Sequence, residues 1–173
     1  MTTKQNSTSS SSASSDVVEL ILKDHRRMED LLRRMRSVEA DRAGALAEFA
    51  NRLIAHAQAE EAEVYPALKR YKKIDDEEVE HGEEEHAEGN AALLALMEVD
   101  EVGSDAWDQK LEDLSEAISH HTDEEERTIL NDARLNVTDE RRAELGAAFT
   151  EERDRLLEAG AGSIDNVRKI VRK

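Results

Sequence analysis

Residues 53–64 have the sequence LIAHAQAEEAEV, and residues 118–129 have the sequence ISHHTDEEERTI. In both stretches an apolar residue, a histidine, a glutamate and a second apolar residue follow one another at steps of three, four and four. This spacing keeps all four side chains on one face of a helix, because residues three and four apart are neighbours on a helix surface. Each stretch therefore predicts a helix whose apolar face is interrupted by one histidine and one glutamate.

Five amphipathic segments extend outward from these two stretches. Apolar residues that recur every three or four positions predict helices over residues 16–38, 41–71, 75–98, 104–135 and 138–160. The connections between the first four segments are short, which favours antiparallel neighbours. The predicted fold is therefore all-α, an up-down antiparallel four-helix bundle with an extra C-terminal helix, over residues 16–160. For the basic tail at residues 161–173 a short docked helix and a frayed end remain alternatives.

Composition excludes several classes of function. The chain has no cysteine, so disulfides, thiolate metal sites and cysteine nucleophiles are ruled out. A net charge of -17 argues against binding to nucleic acid or to an anionic membrane. The Ser-rich residues 1–15 predict a disordered tail without the features of a secretory signal, and no later segment reaches the ~20 apolar residues of a membrane span. We expect a soluble, cytoplasmic protein.

The position of each histidine relative to the apolar face separates candidate ligands from surface residues. A histidine followed by a glutamate four residues later is weak evidence here, because glutamate is abundant. The side chains that fall in phase with the apolar faces are His25, His56, Glu60, His86, His121 and Glu125. His81 and His120 lie off those faces, so we interpret them as surface residues or as supports for the site.

Two inward-facing glutamates in one apolar core favour a metal centre. A buried carboxylate without a partner is very costly, whereas a pair of cations neutralises two carboxylates and accepts the imidazole lone pairs. Four histidines supply two ligands for each ion, and two glutamates are able to bridge both ions. A solvent-derived bridge then gives each ion about five ligands and leaves a position open. Iron, manganese and zinc all suit these donors.

The motifs resemble those of the hemerythrin-like family, which shares the HHE cation-binding domain, in its bacterial branch. The resemblance spans residues 16–135 and rests on Asp24-His25, HAQAEE at 56–61 with Val64-Tyr65-Pro66, Glu85-His86, and HTDEEE at 121–126. It implies two iron ions with an oxo or hydroxo bridge, a centre that binds O2, H2O2 or NO. In that resemblance the four histidines are terminal ligands and Glu60 and Glu125 bridge the ions.

The third helix departs from the pattern of the oxygen-carrying members, which place two ligand histidines four residues apart. Here Gly82 stands four residues before His86, and Asn90 stands four residues after it. The nearest candidates for an additional or supporting role are Glu61, Tyr65 and His81. A missing ligand leaves more room at the metal and favours chemistry there over simple oxygen carriage.

Several functions are compatible with the sequence. The leading hypothesis is a stress-related di-iron protein that reacts with O2 or H2O2, with catalase-like turnover of peroxide. The alternative is a module that senses oxygen, nitric oxide or iron without turnover. A ferritin-like oxidase would call for Glu-x-x-His motifs on two helices, whereas the phased pattern here is His-x-x-x-Glu. A bundle with no metal is the last alternative.

Overall fold

In a computed structural model of the protein, which describes residues 15–173, every regular element is a helix. The elements are α1 (Val17–Arg36), α2 (Arg42–Ala59), a π-helical turn (Glu60–Val64), α3 (Tyr65–Leu68), α4 (Asp76–Met97), α5 (Asp105–Arg127), α6 (Ile129–Asn136), α7 (Asp139–Glu158) and α8 (Ile164–Val171). None of the described helices combines the length and apolar character needed to cross a bilayer. The predicted Ser-rich tail lies, apart from Ser15, outside the described residues.

Short polar side chains fix where the long helices begin. Asp16 accepts a hydrogen bond from the backbone N–H of Val18, Asp75 accepts one from Glu77, and the Ser104 hydroxyl accepts one from Trp107. Such caps satisfy backbone donors that the first turn of a helix leaves without partners. The starts of α1, α4 and α5 therefore fall within about a residue of the positions that the sequence predicts.

Four of the long helices pack in two pairs, and α7 packs over one of these pairs. α1 lies along α2 and α4 lies along α5, and further contacts join α1 to α5 and α2 to α4. α7 lies over α1 and α2, so the fifth predicted helix covers the first pair. In the C-terminal segment α8 packs against α4, with Val167 buried.

The apolar core is divided into two clusters, and the predicted site residues lie between them. On α1, Ile21 belongs to one cluster and Met28 to the other, with His25 between them. On α4, Val79 and Leu93 are divided in the same way on either side of His86. A buried polar layer thus crosses the molecule between two apolar regions.

A π-helical turn interrupts the second predicted helix just before Pro66. The N–H of Tyr65 donates to the carbonyl of Glu60, five residues back. Pro66 has no N–H, and its ring conflicts with the carbonyl of Ala62 four residues earlier, which explains why regular α-helical bonding fails here. The additional residue in the turn brings Tyr65 onto the face that carries Glu60, and both side chains are buried.

The fourth predicted helix is also divided, at Thr128. Its backbone angles, φ -104° and ψ -88°, end α5, and α6 then continues from Ile129. The Thr128 hydroxyl donates to the carbonyl of Glu124 at 2.8 Å. Side-chain bonds of this kind compete with the backbone bonds of a helix and bend it.

Candidate metal centre

The six side chains that fall in phase with the apolar faces meet in the polar layer. Four elements contribute to it: α1, α2 with its π-helical turn, α4 and α5. Each residue is at most 5% exposed, so the whole group is shielded from solvent; its members are His25, His56, Glu60, His86, His121 and Glu125.

Glu60 lies between histidines from two helices. Its Oε1 is 3.2 Å from Nε2 of His56, and its Oε2 is 3.1 Å from Nε2 of His86. Each oxygen of this carboxylate therefore faces a different imidazole. This is the arrangement that a bridging carboxylate requires.

Glu125 faces the other two histidines through a single oxygen, unlike Glu60, whose two oxygens each face one histidine. Its Oε2 is 3.2 Å from Nε2 of His25 and 3.8 Å from Nε2 of His121. The donor atoms form two sets, and within each set all atoms lie within 4.8 Å of one another. The first set comes from His25, His56, Glu60 and Glu125, and the second from Glu60, His86 and His121, so Glu60 belongs to both. The layer thus offers two adjacent positions for cations.

The inner donor atoms lack hydrogen bonds. Among the described residues, the buried atoms without a hydrogen-bond partner include Nε2 of His25, His56 and His121, both Glu60 oxygens and Oε2 of Glu125. Leaving such groups without partners is costly, and native proteins rarely do so. Donors about 2.1 Å from one ion lie roughly 3 Å from each other, which matches the spacing of these atoms. The residues present therefore fit bound cations.

The outer nitrogen of each histidine faces a second carboxylate. Nδ1 of His56 lies 3.1 Å from Oδ2 of Asp24, and Nδ1 of His121 lies 2.9 Å from Oε2 of Glu85. A proton held on Nδ1 leaves the lone pair of Nε2 directed at the centre, and such carboxylate partners also raise the basicity of the ligand.

Glu61 and Glu126, which directly follow Glu60 and Glu125 in the chain, contact the Nδ1 atoms of the other two histidines. Glu61 Oε1 lies 2.8 Å from Nδ1 of His86, and Glu126 Oε1 lies 2.9 Å from Nδ1 of His25. All four inward histidines are thus held by an anion on the outer side. These four acidic side chains therefore contact the ligand candidates directly.

The profile of the hemerythrin HHE cation-binding domain matches residues 16–133, more than half of the 173-residue chain. The chain belongs to the hemerythrin family. Comparison with curated proteins and with solved structures gave no match. The polar layer lies within the matched region, and the chain is a metal-binding module with histidine and glutamate groups suited to a cation.

Tyr65 fills the space beside Gly82 in this hemerythrin domain. Its hydroxyl donates to Oε1 of Glu125 at 2.7 Å, and its ring stacks on His86 with centroids 5.5 Å apart. A Cβ on Gly82 would lie 3.0 Å from the Tyr65 oxygen. The phenol therefore occupies space that Gly82, which has no side chain, leaves open. The signal for this in the sequence was Pro66, which accompanies the π-helical turn.

Two imidazoles of the polar layer have raised pKa values in its metal-free form. Burial would lower the pKa of His56, but Glu60 and Asp24 raise it to about 10. Burial would likewise lower the pKa of His86, but Glu60 and Glu61 raise it to about 9. These carboxylates hold protons on imidazoles that are neutral when they bind a metal.

The inner carboxylates remain anionic in spite of burial. Burial would raise the pKa of Glu60, but His56 and His86 hold it well below its usual range. Burial and the charge of Glu60 would raise the pKa of Glu125, but His25 and His121 keep it lowered. Burial followed by the charge of Glu125 raises the pKa of Tyr65 well above its usual value, so the phenol remains a proton donor.

The remaining candidates take different places. Glu61 bonds His86 from the outer side, as described above. His81 and His120 are 53% and 65% exposed and contact Glu85 from the solvent side, away from the buried group. Sequence reasoning missed Arg153 of α7, which donates to Oδ1 of Asp24 at 3.1 Å. Periodicity within one helix does not indicate a contact between Asp24 and Arg153, which are 129 residues apart in the chain.

Proposed function

We propose that the protein holds two iron ions and that this centre binds and reacts with O2 or H2O2. The observation that carries the proposal is the convergence of buried imidazole nitrogens and carboxylate oxygens that lack hydrogen bonds. In this proposal His25 and His56 hold one ion and His86 and His121 hold the other. Glu60 and Glu125 bridge the ions, and the protein belongs to the bacterial branch of its family.

The proposal includes an antiparallel four-helix bundle around the centre, formed by α1, α2, α4 and α5. The contacts of α1 with α2 and of α4 with α5 support it, as do the short connections at residues 37–41 and 98–104. Each of these helices contributes at least one inward histidine. The same arrangement would account for the two-part core on either side of the polar layer.

Iron in such a centre supplies redox chemistry that amino-acid side chains lack. The residues of the chain orient and protect the reacting group. Asp24, Glu61, Glu85 and Glu126 fix the four imidazoles, while the two apolar clusters exclude bulk water. The Tyr65 hydroxyl is the nearest side-chain proton donor to Glu125, at 2.7 Å.

The first test is metal content with an ultraviolet–visible spectrum, on protein made in iron-supplemented cells and purified without chelator. About two irons per chain, with charge-transfer bands of ferric iron, would support the centre. Gas release on addition of peroxide would support turnover, whereas a stable, reversible oxygen adduct would indicate carriage. A change of structure with iron occupancy and no turnover would favour a sensor. Folded protein that takes up no iron on reconstitution would contradict the proposal.

A further inference from the structure

A second group of metal-binding side chains lies on the surface beside the buried centre. Nε2 of His120 is 3.1 Å from Oε1 of Glu85, and Nε2 of His81 is 3.4 Å from the same oxygen. One donor atom from each residue lies within 4.8 Å of the others. Two imidazoles and one carboxylate are a common ligand set for divalent iron and zinc.

Glu85 is the fixed member of this group. It is 5% exposed, and its Oε1 has no hydrogen-bond partner among the described residues. Its other oxygen, Oε2, lies 2.9 Å from Nδ1 of His121. One carboxylate thus faces the surface histidines with one oxygen and a ligand candidate of the buried centre with the other.

A small cavity borders residues of both groups. It has a volume of about 60 Å³, and its lining includes His81, Gly82, Glu85 and Glu125. Glu78 and Glu124 add acidic groups to its wall. This volume exceeds the roughly 10–15 Å³ that one ordered water requires, so a small hydrated cation fits.

We propose that His81, Glu85 and His120 bind a divalent transition-metal ion and deliver it through this cavity to Glu125. The surface site is independent of the proposed function, whereas delivery rests on it. The exposed histidines capture the ion, because two imidazoles at the surface beside a buried carboxylate bind a cation without prior rearrangement of the core. The acidic cavity wall then favours its movement inward over its return to solvent.

The test compares wild-type protein with the double variant His81→Gln, His120→Gln. The matched control is Glu80→Gln with Ser119→Ala, which changes the exposed chain neighbours of the two histidines. Equilibrium dialysis with Zn²⁺ measures the number of bound ions. Anaerobic mixing of metal-free protein with Fe²⁺, quenched with a colorimetric chelator, measures the rate of uptake.

For wild type and control we expect one weakly held Zn²⁺ in addition to the two buried ions. The double variant should lose the weak ion, keep two at saturation and take up Fe²⁺ about tenfold more slowly. An unchanged number of Zn²⁺ ions would overturn the surface site, and an unchanged uptake rate would overturn delivery. If wild-type protein bound only the weak ion and the double variant lost it, the surface site would stand and the two-iron proposal would fail.

Discussion

Asp24 is the chain neighbour of His25, yet its carboxylate contacts His56 on the adjacent helix, at 3.1 Å from Nδ1. Glu85 repeats the relationship, because it precedes His86 but contacts His121 on α5. The two halves of the site are thus built alike, and each outer carboxylate holds a histidine of another helix. Because these contacts join neighbouring helices, the orientation of His56 and His121 depends on how the helices pack.

Replacing Asp24 with alanine should weaken metal binding. His56 would lose the anion that orients it, and Arg52 and Arg153, each 3.1 Å from Asp24 Oδ1, would lose their shared partner. We expect about 10–100-fold lower affinity for one of the two ions, measured by competition with a chelator. Asp30→Ala is the control on the same helix, since Asp30 pairs only with Arg33 at the surface among the described residues. Equal affinities for the Asp24 variant and wild type would contradict the orienting role.

Glu61→Gln and Glu126→Gln should each weaken a different ion. Glu61 contacts His86, and Glu126 contacts His25, so the two changes act on opposite ends of the proposed centre. Glutamine keeps the shape but removes the charge, and we expect about a tenfold loss of affinity at the affected ion. Chelator competition should resolve one weakened and one unchanged ion in each variant. Uniform weakening of both ions in both variants would argue that the outer carboxylates act as one unit.

Tyr65→Phe should destabilise the metal-free protein. The variant keeps the ring but removes the hydrogen bond to Oε1 of the buried, anionic Glu125. A hydrogen bond to a charged group contributes about 1.5–3 kcal/mol, and we expect a loss of that size in the free energy of unfolding in urea. Tyr71→Phe, at a partly exposed tyrosine, is the control and should have little effect. Equal stability of the Tyr65 variant and wild type would show that Glu125 finds another partner.

The stability of the metal-free protein should depend on pH on both sides of a maximum. The raised pKa values of His56 and His86 stabilise the fold fully below the ordinary value near 6.5, and this contribution is lost as pH rises through about 9 and 10. The lowered pKa of Glu60 and of Glu125 acts in the opposite sense: it stabilises the fold above the ordinary value of 4.5 and is lost at lower pH. We therefore expect maximal stability between about pH 5 and 6.5, measured by urea unfolding across the pH range.

Metal binding should release protons, because the raised pKa values of His56 and His86 keep both imidazoles protonated in the metal-free form, whereas imidazole ligands are neutral. Addition of Zn²⁺ at pH 7 to weakly buffered protein should acidify the solution. The absence of acidification at full metal occupancy would contradict the charge assignment of the metal-free layer.

His120 and His121 are neighbours in the chain, but only His121 is buried, so variants of the two test which histidines bind metal. We expect His121→Ala and Glu60→Ala to remove metal from the buried centre and to lower stability. His120→Ala should leave the final occupancy of the centre unchanged, because its side chain is 65% exposed. Metal content after extensive loading distinguishes the two cases. Loss of the buried metals in His120→Ala would be evidence against the assignment.

The sequence alone determined an all-helical chain and the residues that face inward. Steps of three and four residues fix which side chains share a helix face, and that depends only on local geometry. The prediction that the chain is all-helical is confirmed for the described residues. The phase of the apolar positions selected His121 over His120, and the structure buries His121 whereas His120 is 65% exposed.

The tertiary structure alone decided which partners these residues have. The contact of Asp24 with His56 depends on the rotation and relative height of two helices, and periodicity within one helix carries no such information. Arg153 reaches Asp24 from a helix far along the chain, and Tyr65 turns inward because a π-helical turn adds a residue before Pro66. The exposed His81 and His120 meet at Glu85 for the same reason. Local spacing selects the face of a helix, whereas packing between helices selects the contact.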